Sequence, residues 1–348
     1  MVHDVAVVVH DGLITALEPW RGDAPVHLLC PGFVDLQVNG IDEIDVASAT
    51  DGDWEVLDAH LLAQGVTTWC PTLVTSPLPA YEAPLRRVGA AMARTGRARP
   101  TIAGAHLEGP FLGAAAGAHR RELIVPVDPA WIAALPGHVA LMTLGAEQPD
   151  VGEAIRHLTT RHVVVSIGHS TATDAELDAA VQAGASLVTH LFNAMSGLHH
   201  RTPGVAAWAL TTRAVAASII ADGVHVHPRM IALAFTALGS GRCVLVTDAV
   251  AWRAGTAGLV GVAWRDGAPR LPDGTLAGSS ITMDGAVRVC VAAGVPLEHV
   301  LAAASTNPAR VLGLADRGSI AVGRRADLVA LGPDLGVRQV WVAGEPTR

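Results

Sequence analysis

Glu108, His169, His190 and Asp248 are the side chains of this 348-residue sequence best suited to chemistry, and each stands at the end of a short apolar run. Glu108 lies in His106-Leu-Glu-Gly-Pro110, His169 in Gly168-His-Ser170, and His190 in Thr189-His-Leu-Phe-Asn193. Two imidazoles and one carboxylate, with a fourth position left to water, hold a catalytic zinc. A lone histidine in such a place reads as an ordinary polar residue, whereas three donors at equivalent strand ends favour a shared cation. Asp248 ends Leu245-Val-Thr-Asp248. Beside a cation its carboxylate would take the proton of an attacking water and return it to the leaving group; a helix cap or a further ligand are its alternative roles.

Weaker candidates surround these four. His119, in Gly117-Ala-His119, and His225, in Asp222-Gly-Val-His225, would each donate a hydrogen bond to a carbonyl or hydroxyl, or stand as surface-loop histidines, and the residues favour neither reading. Arg201 precedes Thr202-Pro-Gly204 shortly after His190. Its planar fork suits a phosphate, although a solvated loop arginine is the plainer reading. Asn193 and Ala194 would add backbone N–H groups if a helix began there. His227 directly precedes Pro228 and reads as a helix entry, while His3, His10, His27, His60, His138, His157, His162 and His299 read as structural or surface residues.

Such scattered side chains need a scaffold that gathers distant strand ends. Apolar runs at 33–38, 66–69, 101–107, 139–144, 162–167, 186–189, 214–220 and 243–247 alternate with helical stretches such as 54–64, 81–93, 174–183 and 228–238. Alternation of this kind predicts βα units around a parallel sheet, and eight units predict a closed barrel. Gln37, Asn39, His106, Glu147 and Asp222 also fall at or just beyond run ends, on the rim where such barrels build their sites. Further helices are expected around 284–293, 297–304 and 307–314. The termini read differently: 5–9 and 13–17 flank a turn at His10-Asp-Gly12, and 319–322, 328–331 and 337–342 are separated by glycine and proline. This predicts a small β domain from residues 1–29 plus 317–348, beside a (β/α)8 barrel over 30–316 with a β-hairpin insertion near 257–276 that turns at Arg265-Asp-Gly267.

Composition narrows the chemistry. A formal charge of −8 argues against nucleic acid or an anionic membrane as partner, so any phosphate site must be local. All 24 basic residues are arginine. The missing lysine excludes Schiff-base chemistry, a Walker A loop and a carbamylated-lysine bridge between two metals. Cys30, Cys70, Cys243 and Cys290 lie scattered in apolar stretches without a CxxC pair, the pattern of buried reduced thiols. No run approaches the roughly 20 apolar residues of a membrane span, and the first residues lack the character of a secretory leader, which predicts a cytoplasmic protein.

Taken in order, the motifs resemble the N-acetylglucosamine-6-phosphate deacetylase family of the amidohydrolase superfamily. The matching stretches are Pro31-Gly-Phe-Val-Asp-Leu-Gln-Val-Asn-Gly40, His106-Leu-Glu-Gly-Pro-Phe111, Gly168-His-Ser170, Thr189-His-Leu-Phe-Asn-Ala-Met195, Ala221-Asp-Gly-Val-His225, Leu245-Val-Thr-Asp-Ala249 and Leu276-Ala-Gly-Ser-Ser-Ile-Thr-Met283. Asn307-Pro-Ala-Arg310 and Gly318-Ser-Ile-Ala-Val-Gly-Arg-Arg-Ala-Asp-Leu328 resemble general amidohydrolase signatures. The resemblance implies a barrel plus β-sandwich in a homodimer, acting on a phosphorylated amino sugar. It implies that Glu108, His169 and His190 bind one divalent metal, zinc first, with iron, cobalt or manganese able to share such ligands. Asp248 would be the acid/base, Asn193, Ala194, Arg201 and His225 would contact the sugar phosphate, Ala118 or His119 would lie near the acetyl group, and the turn around Ile281 would close the pocket. Gln37-Val-Asn39 replaces the superfamily's His-x-His, which predicts a single metal. Arg120-Arg121 and Ile41-Asp-Glu43 also depart from the family pattern. Alternatives are another substrate, such as N-acetylgalactosamine 6-phosphate or a ring amide, or a catalytically silent scaffold.

Overall fold

The structure, a computed structural model, describes residues 4–22, 26–96 and 98–347; His3, the other residues of 1–3, and 23–25 and 348 of the expected terminal unit lie outside it. Eight parallel strands form the centre: β1 (Phe33–Val38), β2 (Val66–Val74), β3 (Ala105–Glu108), β4 (Val139–Leu144), β5 (Val164–Ile167), β6 (Leu187–Val188), β7 (Ala216–Ile220) and β8 (Cys243–Val246). Each pairs with the next in chain order. The ring closes where the Asp248 amide donates to Gln37 O at 2.9 Å and the Asn39 amide to Ala249 O at 2.8 Å. A (β/α)8 barrel results, as the eight-fold alternation predicts.

Side-chain alternation sorts the core. Val244 and Val246 join Val34, Leu36, Cys70, Leu141, Leu187 and Ile220 in one buried cluster, while Cys243 and Leu245 belong to the larger cluster shared with the surrounding helices. Strands covered on both faces read as continuous apolar runs, which is why they were visible in the sequence. Their ends were less so. β2 runs on to Val74 through Pro71, beyond the expected 66–69, and 101–107 divides into Thr101–Ile102 and β3 around Gly104, where φ is +144°.

Helices follow the expected stretches. Asp174–Ala183 begins with a capping box, Thr173 Oγ1 accepting from Glu176 N while Glu176 accepts the Thr173 amide, so the chain's exit from the His169 loop is fixed. His227 caps Pro228–Arg242, its Nδ1 accepting from Arg229 N, as its place before proline predicts. No helix begins at Asn193–Ala194; the next one starts at Gly204.

Both ends of the chain contribute to a separate antiparallel sheet, ordered Glu345–Pro346, Val337–Val342, Leu328–Leu331 and Leu28–Pro31. The hairpin of Val5–His10 and Leu13–Pro19 packs on it through Ile14, Ala326, Leu328, Ile320 and Trp341. The stretch 319–322 is no strand: Gly318 and Gly323, at φ +79° and +84°, turn the chain on either side of it. The insertion after β8 is two small hairpins, Thr256–Ala257 with Val260–Gly261 and Ala263–Arg265 with Ala268–Arg270, the second turning at Asp266-Gly267 as expected. All four cysteines are free and buried, and no helix among the described residues is long and apolar enough to cross a membrane.

Candidate active site

Strand ends deliver the chemistry to one cavity on the barrel rim. β1 bulges between Asp35 and Val38, where Leu36 and Gln37 face the single residue Cys70 of β2, the kind of irregularity that re-aims side chains at barrel rims. Gln37 and Asn39 project beside Asp248 there: Gln37 Nε2 donates to Asp248 Oδ1 at 3.0 Å and to Glu108 Oε1 at 2.9 Å, and Asn39 Nδ2 donates to Asp248 Oδ1 at 2.6 Å. His169, His190, Ala194 and Asp248 all adopt left-handed backbone, at φ +51°, +32°, +48° and +49°. Such conformations cost about 1–3 kcal/mol each in a side-chain-bearing residue and collect at functional sites.

Glu108 Oε1 lies 3.2 Å from His169 Nε2 and 3.0 Å from His190 Nε2, and the two nitrogens are 3.1 Å apart. Around a tetrahedral cation with bonds of about 2.0–2.1 Å the donors stand roughly 3.3 Å from one another, so this triangle is of the right size for one ion. His169 Nδ1 faces the carbonyls of Ala115 and Ala116 at 3.1 and 3.2 Å. Donating there fixes its proton and leaves the Nε2 lone pair for a cation. All three donors are nearly buried. Burial pushes the Glu108 carboxyl up, but the hydrogen bonds of His169 and His190 outweigh it and hold it well below the usual range. Burial, then the charge of Glu108, drive the Asp248 carboxyl the other way, upward.

His119 joins from the loop after β3. Its Nε2 is 3.7 Å from Glu108 Oε2, its Nδ1 is 2.8 Å from Thr75 Oγ1, and its ring packs edge-on to His169. Glu108, His119 and His169 offer donor atoms all within 4.8 Å of one another, yet the tighter triangle is the one that includes His190. Burial and then the neighbouring His169 lower His119 to about 3, so the ring is neutral at physiological pH. His225 is oriented by Asp222, whose Oδ2 lies 2.6 Å from Nδ1 and whose Oδ1 accepts the Val224 and His225 amides.

Ala118, His119, Asn193, Ala194 and His225 line the same cavity as Glu108, His169, His190 and Asp248. Two expected residues do not: Arg201 is exposed in its loop, and Ile281 lines a neighbouring cavity with Ile41, Gln64 and Trp252. Sequence reasoning missed Thr75, which sits just past the end of β2, and the contribution of the insertion through Ala257, Leu259 and Val260. Arg120, noticed only as a departure from pattern, is the one arginine among the described residues that line the cavity. His106, another strand-end histidine, is instead a core residue bonded to Thr143 Oγ1 at 2.8 Å and lowered by burial to about 4.

The profile of the amidohydrolase family matches residues 28–347. An N-acetylgalactosamine-6-phosphate deacetylase of Escherichia coli O157:H7 is 37% identical over 97% of this chain and 93% of its own length, and the N-acetylglucosamine-6-phosphate deacetylase of Bos taurus is 39% identical over 91% and 83%. Among solved structures, the N-acetylglucosamine-6-phosphate deacetylase of Thermotoga maritima superposes with a TM-score of 0.91 at 32% identity, covering 98% of this chain and 94% of that one. An aspartate-to-alanine mutant of the Mycobacterium smegmatis deacetylase, in complex with N-acetyl-D-glucosamine-6-phosphate, gives 0.87 at 33% identity, covering 98% and 93%. The chain is thus a member of the amidohydrolase family, on the branch of the N-acetylglucosamine-6-phosphate deacetylases, and a hydrolase acting on an amide C–N bond.

Proposed function

We propose that this chain removes the acetyl group of N-acetylglucosamine 6-phosphate, releasing acetate and glucosamine 6-phosphate. The observation that carries this reading is the 3.0–3.2 Å triangle of Glu108, His169 and His190 with Asp248 held beside it by Gln37 and Asn39. These residues would hold one divalent cation, and their nitrogen and oxygen donors suit zinc. When bound, the cation supplies the acidification of a water and the polarisation of the amide carbonyl. Gln37 lies between the two carboxylates and offers no anionic or imidazole donor, which favours a single ion.

Asp248 accepts the proton of the attacking water and passes it to the departing nitrogen. Both amides bind its Oδ1, which leaves Oδ2 for proton exchange. His119 supports the carbonyl oxygen: its neutral ring carries one proton, and the Glu108 carboxylate 3.7 Å from Nε2 favours that proton on Nε2, with Thr75 Oγ1 2.8 Å from Nδ1. His225, Asn193 and Ala194 form the sugar-phosphate side of the cavity, with Arg201 on the adjoining loop. N-acetylgalactosamine 6-phosphate is the second reading, favoured by the relative of that name matched over 97% of this chain. The same reading divides the chain into a companion unit, 1–29 with 317–348, and a hydrolase barrel, 30–316, and takes the protein as a cytoplasmic homodimer.

Acetate release from the two epimeric 6-phosphates and from their unphosphorylated sugars tests this. Turnover is expected on a 6-phosphate and much less on the free sugars; equal rates with and without phosphate contradict the assigned substrate.

A further inference from the structure

We infer that Glu147 is a positioning residue of the active site, a carboxylate staple that sets the ring of His169 and the loop bearing His119. The inference rests on the reading of His169 as a metal ligand. Glu147 follows β4 and is not among the residues that line the cavity. Its Oε1 accepts the Ala114 amide at 2.9 Å and the Thr171 amide at 2.8 Å, while Oε2 accepts from Ser170 Oγ at 2.5 Å. One side chain therefore ties the loop after β3 to the loop after β5. Ser170 and Thr171 directly follow His169, and Ala114 directly precedes Ala115 and Ala116, whose carbonyls receive His169 Nδ1. The same loop continues to His119, whose amide donates to Ala116 O at 3.1 Å.

Two glycines let the loops come this close. A Cβ on Gly113 would fall 2.1 Å from Glu147 Oε1, and one on Gly145 would fall 2.2 Å from the Gly113 nitrogen. The Gly145 amide adds a bond to Phe111 O at 3.0 Å. What Glu147 supplies is reach and an acceptor, since two of its three close donors are backbone amides.

Shape and charge are separable by substitution. Glutamine keeps the length, retains an acceptor for both amides and can donate to Ser170 Oγ; aspartate keeps the charge but is one methylene short; alanine removes both. The test is the affinity of the purified full-length chain for zinc ion, read by chelator competition, for the parent, Glu147→Gln, Glu147→Asp and Glu147→Ala. Groups that orient metal-bound histidines typically change affinity about 10- to 100-fold when removed. A loss of that size is expected for Glu147→Ala and Glu147→Asp, with Glu147→Gln close to the parent. Zinc-saturated Glu147→Asp is expected to show lowered kcat with little change in KM. If Glu147→Ala does not fold, the Asp and Gln variants carry the comparison. Parent-like zinc affinity in Glu147→Asp overturns the inference whatever its thermal stability; a parent that takes up no zinc overturns the metal-site reading first and this one with it.

Discussion

At the residue scale the four principal side chains were legible because each stands where an apolar run gives way to glycine, proline or a polar loop, and the structure gathers them into one cavity. The left-handed backbone of His169, His190 and Asp248 was not legible, since nothing in Gly168-His-Ser170 or Thr189-His-Leu announces a positive φ at histidine. Neither was Thr75, one hydroxyl among many, or the place of Arg120 in the cavity wall. The role proposed for Asp248 predicts that Asp248→Asn loses about 10² to 10⁴ in kcat, the usual worth of a general acid/base, while bound metal measured by elemental analysis stays at the parent level. The phosphate assignment is divided between two arginines. Arg201→Ala is expected to raise KM for the 6-phosphate and leave slow turnover of the free sugar unchanged. Should Arg120→Ala show that pattern instead, the cavity-lining arginine is the phosphate contact.

At the element scale, alternation of apolar runs and helices was enough to count eight strands, because strands buried on both faces are predominantly apolar. What escaped was local: Pro71 inside β2, the break at Gly104, and the bulge in β1 that places Gln37. The bulged strand also carries Asp35, fully buried and bonded to Gln37 N and to Thr247 N and Oγ1. Burial pushes its carboxyl up to about 7, against about 3.9 unfolded. The native state therefore holds this proton where the unfolded chain releases it. The stabilisation it gives is complete below about pH 4 and is lost as pH rises through about 7, a difference on the order of 4 kcal/mol at 1.36 kcal/mol per unit. Denaturant unfolding at pH 5 and pH 8 should show a smaller fall in stability for Asp35→Asn than for the parent. An equal fall in both would show that Asp35 does not hold a proton in the fold.

At the scale of the whole molecule, the association of the two chain ends in one β-rich unit was legible from their strand and turn pattern, whereas Leu28–Pro31, the N-terminal strand of the four-stranded sheet, was not foreseen. In the proposed reading the metal donors come from the ends of β3, β5 and β6, so the folded barrel brings them together and the unfolded chain does not. Binding to the folded state alone stabilises it by about 4 kcal/mol at a thousand times Kd, so chelation is expected to lower Tm and added zinc to restore it. The most direct measurement is metal stoichiometry paired with acetate release from N-acetylglucosamine 6-phosphate, on the parent and on His190→Ala. One bound ion per chain, activity lost on chelation and regained with one equivalent, and neither ion nor activity in His190→Ala is the predicted result. Full acetate release by metal-free protein, or an undiminished ion in His190→Ala, would contradict the account.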